Sequence, residues 1–284
     1  MYKIFITGGS GYIGSYLIKF LSKNKSFALH TIRYKNKIKI KQKKNIFVYK
    51  INLTNKNKIN KLLNLINPDI ILNLAAYTNP KNNNENPHKS FKYNFIINKI
   101  LVEYCYKYKK KIIFTSTDKV YGGNIPEPSE RQDLKPNDEY GVNKLRCEKY
   151  IKKKLTKYII LRCGSVYNKF SISKKHFINQ AVNNIKNKKK VYLATNIFRL
   201  FISIEKLTIL ISKLLKQNLY GTYNVGSNKT NYFNLVKLIC KRNKIDTNNL
   251  LYKTKIKTNL NYIVPQTKKI NLLIKKLIKF NVLK

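Results

Sequence analysis

Three side chains carry the most legible chemistry. Tyr140 and Lys144 are four residues apart in Tyr-Gly-Val-Asn-Lys, so a helix puts both on one face. An ammonium beside a phenol favours the phenolate and is expected to draw its pKa from about 10 towards neutrality. A phenol tuned in that way is a proton donor to an alkoxide forming from a carbonyl. Thr117 lies twenty-three residues upstream of Tyr140, and its hydroxyl would hold the carbonyl oxygen from the other side. With 21 tyrosines in the chain the Tyr-x-x-x-Lys spacing says little alone. It gains meaning because an apolar run at 111–115 leads directly into Ser116, Thr117, Asp118 and Lys119 ahead of it.

Such groups need a partner to react with, and the start of the chain supplies a seat for one. Residues 2–14, YKIFITGGSGYIG, pass from Ile4, Phe5 and Ile6 through Gly8, Gly11 and Gly14 to apolar residues at helical spacing. The order is strand, tight turn, helix. Gly8 would take a backbone conformation that a side chain forbids, Gly11 would admit a pyrophosphate, and Gly14 would let helix and strand pack closely. The amide groups of the first helical turn, at Tyr12, Ile13 and Gly14, would then face the phosphates. About twenty residues further on, where an acid would bind the adenosine ribose hydroxyls, stand Arg33, Tyr34 and Lys35. With no carboxylate there, a 2′-phosphate is welcome, so NADP(H) is favoured and NAD(H) stays open.

The elements between these two stretches alternate. Short apolar runs at 27–32, 45–49, 70–74, 111–115, 158–161 and 222–225 read as strands. Helical patterns fall between them, one capped by Asn55 and one running over 88–109 after a loop at 79–87. The run at 70–74 is apolar throughout, as for a strand buried on both faces. It ends in Ala75, Ala76 and Tyr77, small enough at first for a flat ring or phosphate to lie close. The fold class is therefore α/β, a doubly wound parallel sheet. Residues 174–188, 191–193 and 198–203 would build a smaller second part, and a final helix in the tail to 283 would pack on it.

Composition excludes more than it assigns. The formal charge is +47, yet the cations are spread along the whole chain, and only six are arginines. Lys, Asn and Ile are abundant together, as A/T-rich codons would make them, so no specific nucleic-acid partner is expected, only salt-sensitive adsorption. Four cysteines lie far apart with no His beside them, which reads as reduced buried thiols and no metal site. No apolar run approaches spanning length, and the first strand leaves no room for a signal peptide. A cytoplasmic protein without a membrane partner is expected.

Together, TGGSGYIG, NLAAYT, TSTDKVYGG and EYGVNK, followed by Glu148, resemble an extended short-chain dehydrogenase/reductase acting on nucleotide sugars, most similar to the dTDP-4-dehydrorhamnose reductase branch. The resemblance implies a Rossmann-like dinucleotide-binding domain over 1–165 and a smaller substrate-binding α/β domain over 166–284, some of whose segments return to the sheet. It implies Thr117, Tyr140 and Lys144 as the catalytic set, with Tyr140 the proton donor and Lys144 touching both Tyr140 and the nicotinamide ribose. Asn52 and Leu53 would flank the adenine, and Ala75, Ala76 and Tyr77 would line the cofactor. Thr117, Asp118, Lys119 and Arg199 would meet the nucleotide-sugar substrate, Arg199 gripping its diphosphate.

Two positions depart from the pattern. Asn52 stands where an Asp is usual, keeping an acceptor without the charge. Lys119 replaces the aromatic residue of the rhamnose-type reductases and the Glu that sugar 4,6-dehydratases place after a catalytic Asp, although some dehydratases also read Asp-Lys. The expected activity is NAD(P)H-dependent reduction of a nucleotide-linked 4-keto-6-deoxyhexose. The alternatives are an NAD-dependent 4,6-dehydratase or epimerase, with Asp118 then catalytic, and a non-catalytic NADP-binding regulatory subunit. A homodimer is common among such proteins.

Overall fold

In a computed structural model of the chain the described residues are 1–34, 38, 43–123, 127–168, 177–257 and 262–279. Lys35, residues 174–176 and the end of the tail, all named above, lie outside them. The first half runs β1 (Tyr2–Thr7), α1 (Tyr12–Leu21), β2 (Phe27–Arg33), β3 (Ile46–Lys50), α2 (Lys56–Ile66), β4 (Ile70–Asn73), α3 (Pro80–Glu85), α4 (Pro87–Phe91), a π-helical turn (Lys92–Ile96) and α5 (Ile97–Lys107). Next come β5 (Lys111–Thr117), a 3₁₀ turn (Asp118–Tyr121), α6 (Glu139–Lys154), β6 (Tyr158–Cys163) and β7 (Ser165–Tyr167). The remainder is α7 (Phe177–Lys186), β8 (Val191–Ala194), β9 (Phe198–Ser203), α8 (Ile204–Leu214), β10 (Gly221–Val225), β11 (Asn228–Asn231), α9 (Tyr232–Arg242), β12 (Leu251–Thr254), β13 (Tyr262–Ile263) and α10 (Lys268–Lys279).

Seven strands form one sheet in the order β10-β6-β5-β4-β1-β2-β3, every pair parallel. Apart from the edge strand β3, where Phe47 and Val48 are exposed, the strands are largely buried on both faces because alternate side chains feed two cores. Ile4 and Ile6 point into the core shared with α1, α8 and α10, while Phe5 points into the core shared with α2, α5 and α6. From β1 the chain winds outward through β2 and β3, then returns to β4 on the other side. The reversal opens a crevice at the carboxyl ends of β1 and β4, where open sheets of this kind take their ligands. A third core, around Tyr167, Ile178, Phe201, Val236 and Ile239, unites β8, β9, α7 and α9 beyond the sheet.

Two segments differ from expectation. Residues 79–109 are not a loop and one helix but α3, α4, the π-helical turn and α5 in succession. Asn79 caps α3 by accepting from the Asn82 amide at 3.3 Å. Pro80 and Pro87 each occupy a first helical turn, where a missing N–H costs nothing. The final helix is also displaced from its expected place. Ile270 and Leu273 are buried in the core beside the main sheet, and Lys269 donates to the Thr222 carbonyl in β10 at 2.8 Å. Among the described residues no helix is long and apolar enough to cross a membrane.

Candidate active site

The crevice begins at the glycine turn. Gly8 has a φ of +70°, and a Cβ there would sit 2.9 Å from the Ala75 nitrogen and the Leu74 carbonyl. A Cβ on Gly14 would sit 2.2 Å from the Gly8 oxygen, so α1 rests directly on the turn. Between the strand ends, Thr7 Oγ1 donates to Asn73 Oδ1 at 2.8 Å and accepts the Leu74 and Ala75 amides at 3.1 Å each. Asn73 in turn donates to Asn98 at 2.9 Å. This buried polar chain holds the crevice at one width, and nothing in the sequence singled out Thr7 or Asn98.

The residues present fit a dinucleotide. Side chains cap α2, α6, α8 and α9 from Asn55, Asp138, Ser203 and Asn231, whereas α1 starts at Gly11 with no side-chain cap. Its N-terminus faces the glycine turn with room that a Cβ would fill, the arrangement a pyrophosphate needs. Ile13 is half-buried there. The Tyr12 hydroxyl reaches across to Asn179 Oδ1 at 3.4 Å, tying α1 to α7. Arg33 ends β2 and lies in register with Lys50 at the end of β3, two cations side by side. Asn52 accepts from both the amide and the hydroxyl of Thr54, at 3.1 and 3.0 Å, so its oxygen is engaged locally. Its neighbour Leu53 packs on the second core. Ala75, Ala76 and Tyr77 are half-buried after β4, and the Tyr77 amide donates to Asn94 Oδ1 at 2.8 Å. The π-helical turn carries Asn94, so the irregular winding delivers that contact.

Across the crevice, β5 delivers Thr117 and Asp118, and α6 delivers Tyr140 and Lys144. Asp138 caps α6 through the Gly141 amide at 2.7 Å and is also ion-paired with Lys119. Thr117 Oγ1 donates to Asp118 Oδ1 at 3.1 Å. Burial raises the Asp118 carboxyl above its ordinary value, against the opposing pull of Arg199, the Thr117 hydroxyl and Lys119. Arg199 in β9 is thus near enough for its charge to act on Asp118. The crossing depends on Gly164, where a Cβ would lie 2.1 Å from the Leu200 oxygen.

The expected acidic phenol is not found. Tyr140 is half-buried, and its phenol is pushed up, first by desolvation and then by Cys163, Asp118 and Asp138. Lys144 lies 5.8 Å from the Tyr140 ring centre, but its Nζ donates to the Thr115 carbonyl at 2.7 Å and covers the Phe114 ring at 4.4 Å. Burial lowers Lys144 to about 8. The cation therefore stands near the phenol without bonding its oxygen.

Sequence reasoning also missed the charge network beneath the site. Glu148 accepts from Ser116 Oγ at 2.6 Å and from Arg162 Nη2 at 2.7 Å, with both ionic side chains wholly buried. Arg162 Nη1 donates to the Tyr121 hydroxyl at 2.7 Å, which donates to Asn224 Oδ1 at 2.7 Å. One network thus joins β5, α6, β6, β10 and the turn after Asp118. In the second part, among β7, α7, β8 and α9, an aromatic cavity of about 370 Å³ is lined by Ser165, Phe177, Tyr192, Ala194, Tyr232 and Ile256.

A family model for the NAD dependent epimerase/dehydratase family matches residues 4–226, which include the glycine turn, Thr117, Tyr140, Lys144 and Arg199. The chain belongs to that family. It is 28% identical over 254 residues to a dTDP-D-glucose 4,6-dehydratase of Dictyostelium discoideum, covering 79% of this chain and 58% of that protein. The chain thus spans little over half the length of that relative. Two solved structures share the fold at 21% identity. The UDP-glucose 4-epimerase of Thermotoga maritima, with UDP-glucose, superimposes at a TM-score of 0.82 over 95% of this chain and 91% of its own. The dTDP-4-dehydrorhamnose reductase of Bacillus anthracis, with NADP, does so at 0.81 over 96% and 93%. A dehydratase, an epimerase and a reductase are thus all similar to this family member, so the family likeness by itself selects none of the three.

Proposed function

We propose that this family member reduces the C4 ketone of a nucleotide-linked 4-keto-6-deoxyhexose, with NADPH as the preferred donor. The observation that carries this reading is the ion pair of Lys119 with Asp138. The residue after Asp118 is bound to the helix cap, so elimination would lack a free base beside the acid. What remains is the equipment for one proton transfer at a carbonyl. Bound nicotinamide would supply the hydride. Thr117 orients the carbonyl oxygen, Tyr140 keeps its proton until the oxygen takes it, and Lys144 adds a positive charge below. Arg199 is suited to the substrate diphosphate, since its Nε is buried with no hydrogen-bond partner among the described residues. The cavity flanked by Tyr192 and Tyr232 offers the base a flat apolar seat. Residues 1–165 would thus hold the cofactor and most of 166–284 the substrate.

The second reading, a 4,6-dehydratase, draws on the raised pKa of Asp118, which suits a carboxyl that delivers a proton. Incubation with a dTDP-linked 4-keto-6-deoxyhexose and NADPH separates the two. Stoichiometric loss of NADPH supports the reductase. Water elimination from a dTDP-hexose, with no net cofactor change and abolished by Asp118→Asn, overturns it in favour of the dehydratase.

A further inference from the structure

At the amino-terminal edge of the main sheet, opposite the crevice, the ends of α5 and α6 enclose a second cavity of about 500 Å³. Five lysines line it: Lys107, Lys109, Lys110, Lys154 and Lys157, with no carboxylate among the lining residues. Helix carboxyl ends attract cations, so an ordinary explanation is that these ammonium groups cap free carbonyls. Lys111, one residue away, does that, donating to the Leu214 and Gln217 carbonyls at the end of α8 at 2.8 and 2.6 Å. The five do not. Among the described residues none of their Nζ atoms donates a hydrogen bond or joins an ion pair. Their contacts to side chains are aromatic: Lys154 lies 5.3 Å from the Tyr106 ring centre and Lys107 5.2 Å from that of Tyr108. Both rings are exposed, at 58% and 38%. Five like charges gathered around one concavity repel one another, and such a cluster is relieved by a compact multivalent anion.

We propose that this cavity is a binding site for an oligophosphate, separate from the dinucleotide crevice. The concave shape favours a short chain of linked phosphates over an extended polymer, and Lys is a common point-charge ligand for phosphate. Thr156 is also among the lining residues. The site does not depend on which reaction the crevice performs.

Because the whole chain is strongly basic, the test must separate a site from diffuse adsorption. Inorganic tripolyphosphate is titrated into the full-length protein at moderate salt by calorimetry. Saturation at one ion per chain is expected, with affinity falling at least tenfold in Lys154→Ala/Lys157→Ala. The control pair Lys237→Ala/Lys241→Ala, which removes two exposed charges from α9, is expected to change it less than twofold, as is Arg199→Ala. An equal loss in both lysine pairs, or uptake without saturation, makes the binding diffuse and overturns the proposal. Loss in Arg199→Ala alone moves the anion to the crevice and overturns it as well. Single-stranded RNA that competes only in proportion to its length would likewise favour a polymer surface over this site.

Discussion

Lys144 Nζ donates to the Thr115 carbonyl oxygen at 2.7 Å, so β5, not Tyr140, holds the buried cation in place. The side chain thus sits between the strand that carries Thr117 and the helix that carries Tyr140. The phenol is pushed up by burial and by Cys163, Asp118 and Asp138, so it keeps its proton across the physiological range. Tyr140→Phe should lower the turnover of a 4-keto-6-deoxy nucleotide sugar by about 10²–10⁴-fold with little change in melting temperature. In the wild type the rate should fall as pH rises past about 8, where Lys144 loses its charge. Lys144→Met should remove that break, and a pH–rate profile unchanged by the substitution would separate the break from Lys144.

Lys111 is lowered to about 8 by the same cause, burial. The unfolded chain holds that proton up to about 10.4. Below pH 8 both states are charged, and the fold bears the full cost of burying an ammonium. Between about 8 and 10.4 the unfolded state binds more protons, so the Lys111 contribution to stability rises with pH. Urea unfolding at pH 7.5 and 9.5 should show a smaller gain, or a larger loss, in Lys111→Met than in the wild type. Identical differences for the two proteins would rule out this linkage.

The Glu148–Arg162 pair makes a sharper stability test. Removing one partner leaves an unpaired buried charge, so Glu148→Gln should cost about 3–5 kcal/mol in urea unfolding. Glu148→Leu combined with Arg162→Met should cost less than the sum of the two single changes. Additivity would mean that the two side chains do not act as a pair.

The proposed preference for NADPH rests on Arg33. With Lys50 beside it and no acid in register, Arg33→Ser should raise the KM for NADPH at least tenfold and that for NADH less than twofold. Equal shifts would place the 2′-phosphate elsewhere.

The sheet was legible because its strands are short apolar runs set between helices, a pattern that survives the Lys and Asn bias. Gly8 and Gly14 were legible for a stricter reason, since only glycine fits where a Cβ would strike backbone. Asn55, Asp138 and Asn231 show that caps decide where helices begin, and Asn55 could be read directly as Asn before an apolar pattern. The relation of Tyr140 to Lys144 was less legible. Spacing put both on one helix, but the lysine's partner is a β5 carbonyl, which no helical period encodes. The Glu148–Arg162–Tyr121–Asn224 network was hidden for a similar reason. Its members are far apart in sequence and meet only after the sheet has assembled.

The return of β10 to pair with β6 carries a consequence for anyone cutting this protein into parts. A truncated chain ending near Tyr167 would leave β6 with a raw backbone edge, strip α8 from α1 and orphan the tyrosine that Asn224 accepts from. The first half is thus not a detachable module; its sheet is finished by β10 and α10, both synthesised well after β6, and a ribosome must release those segments before the sheet can close.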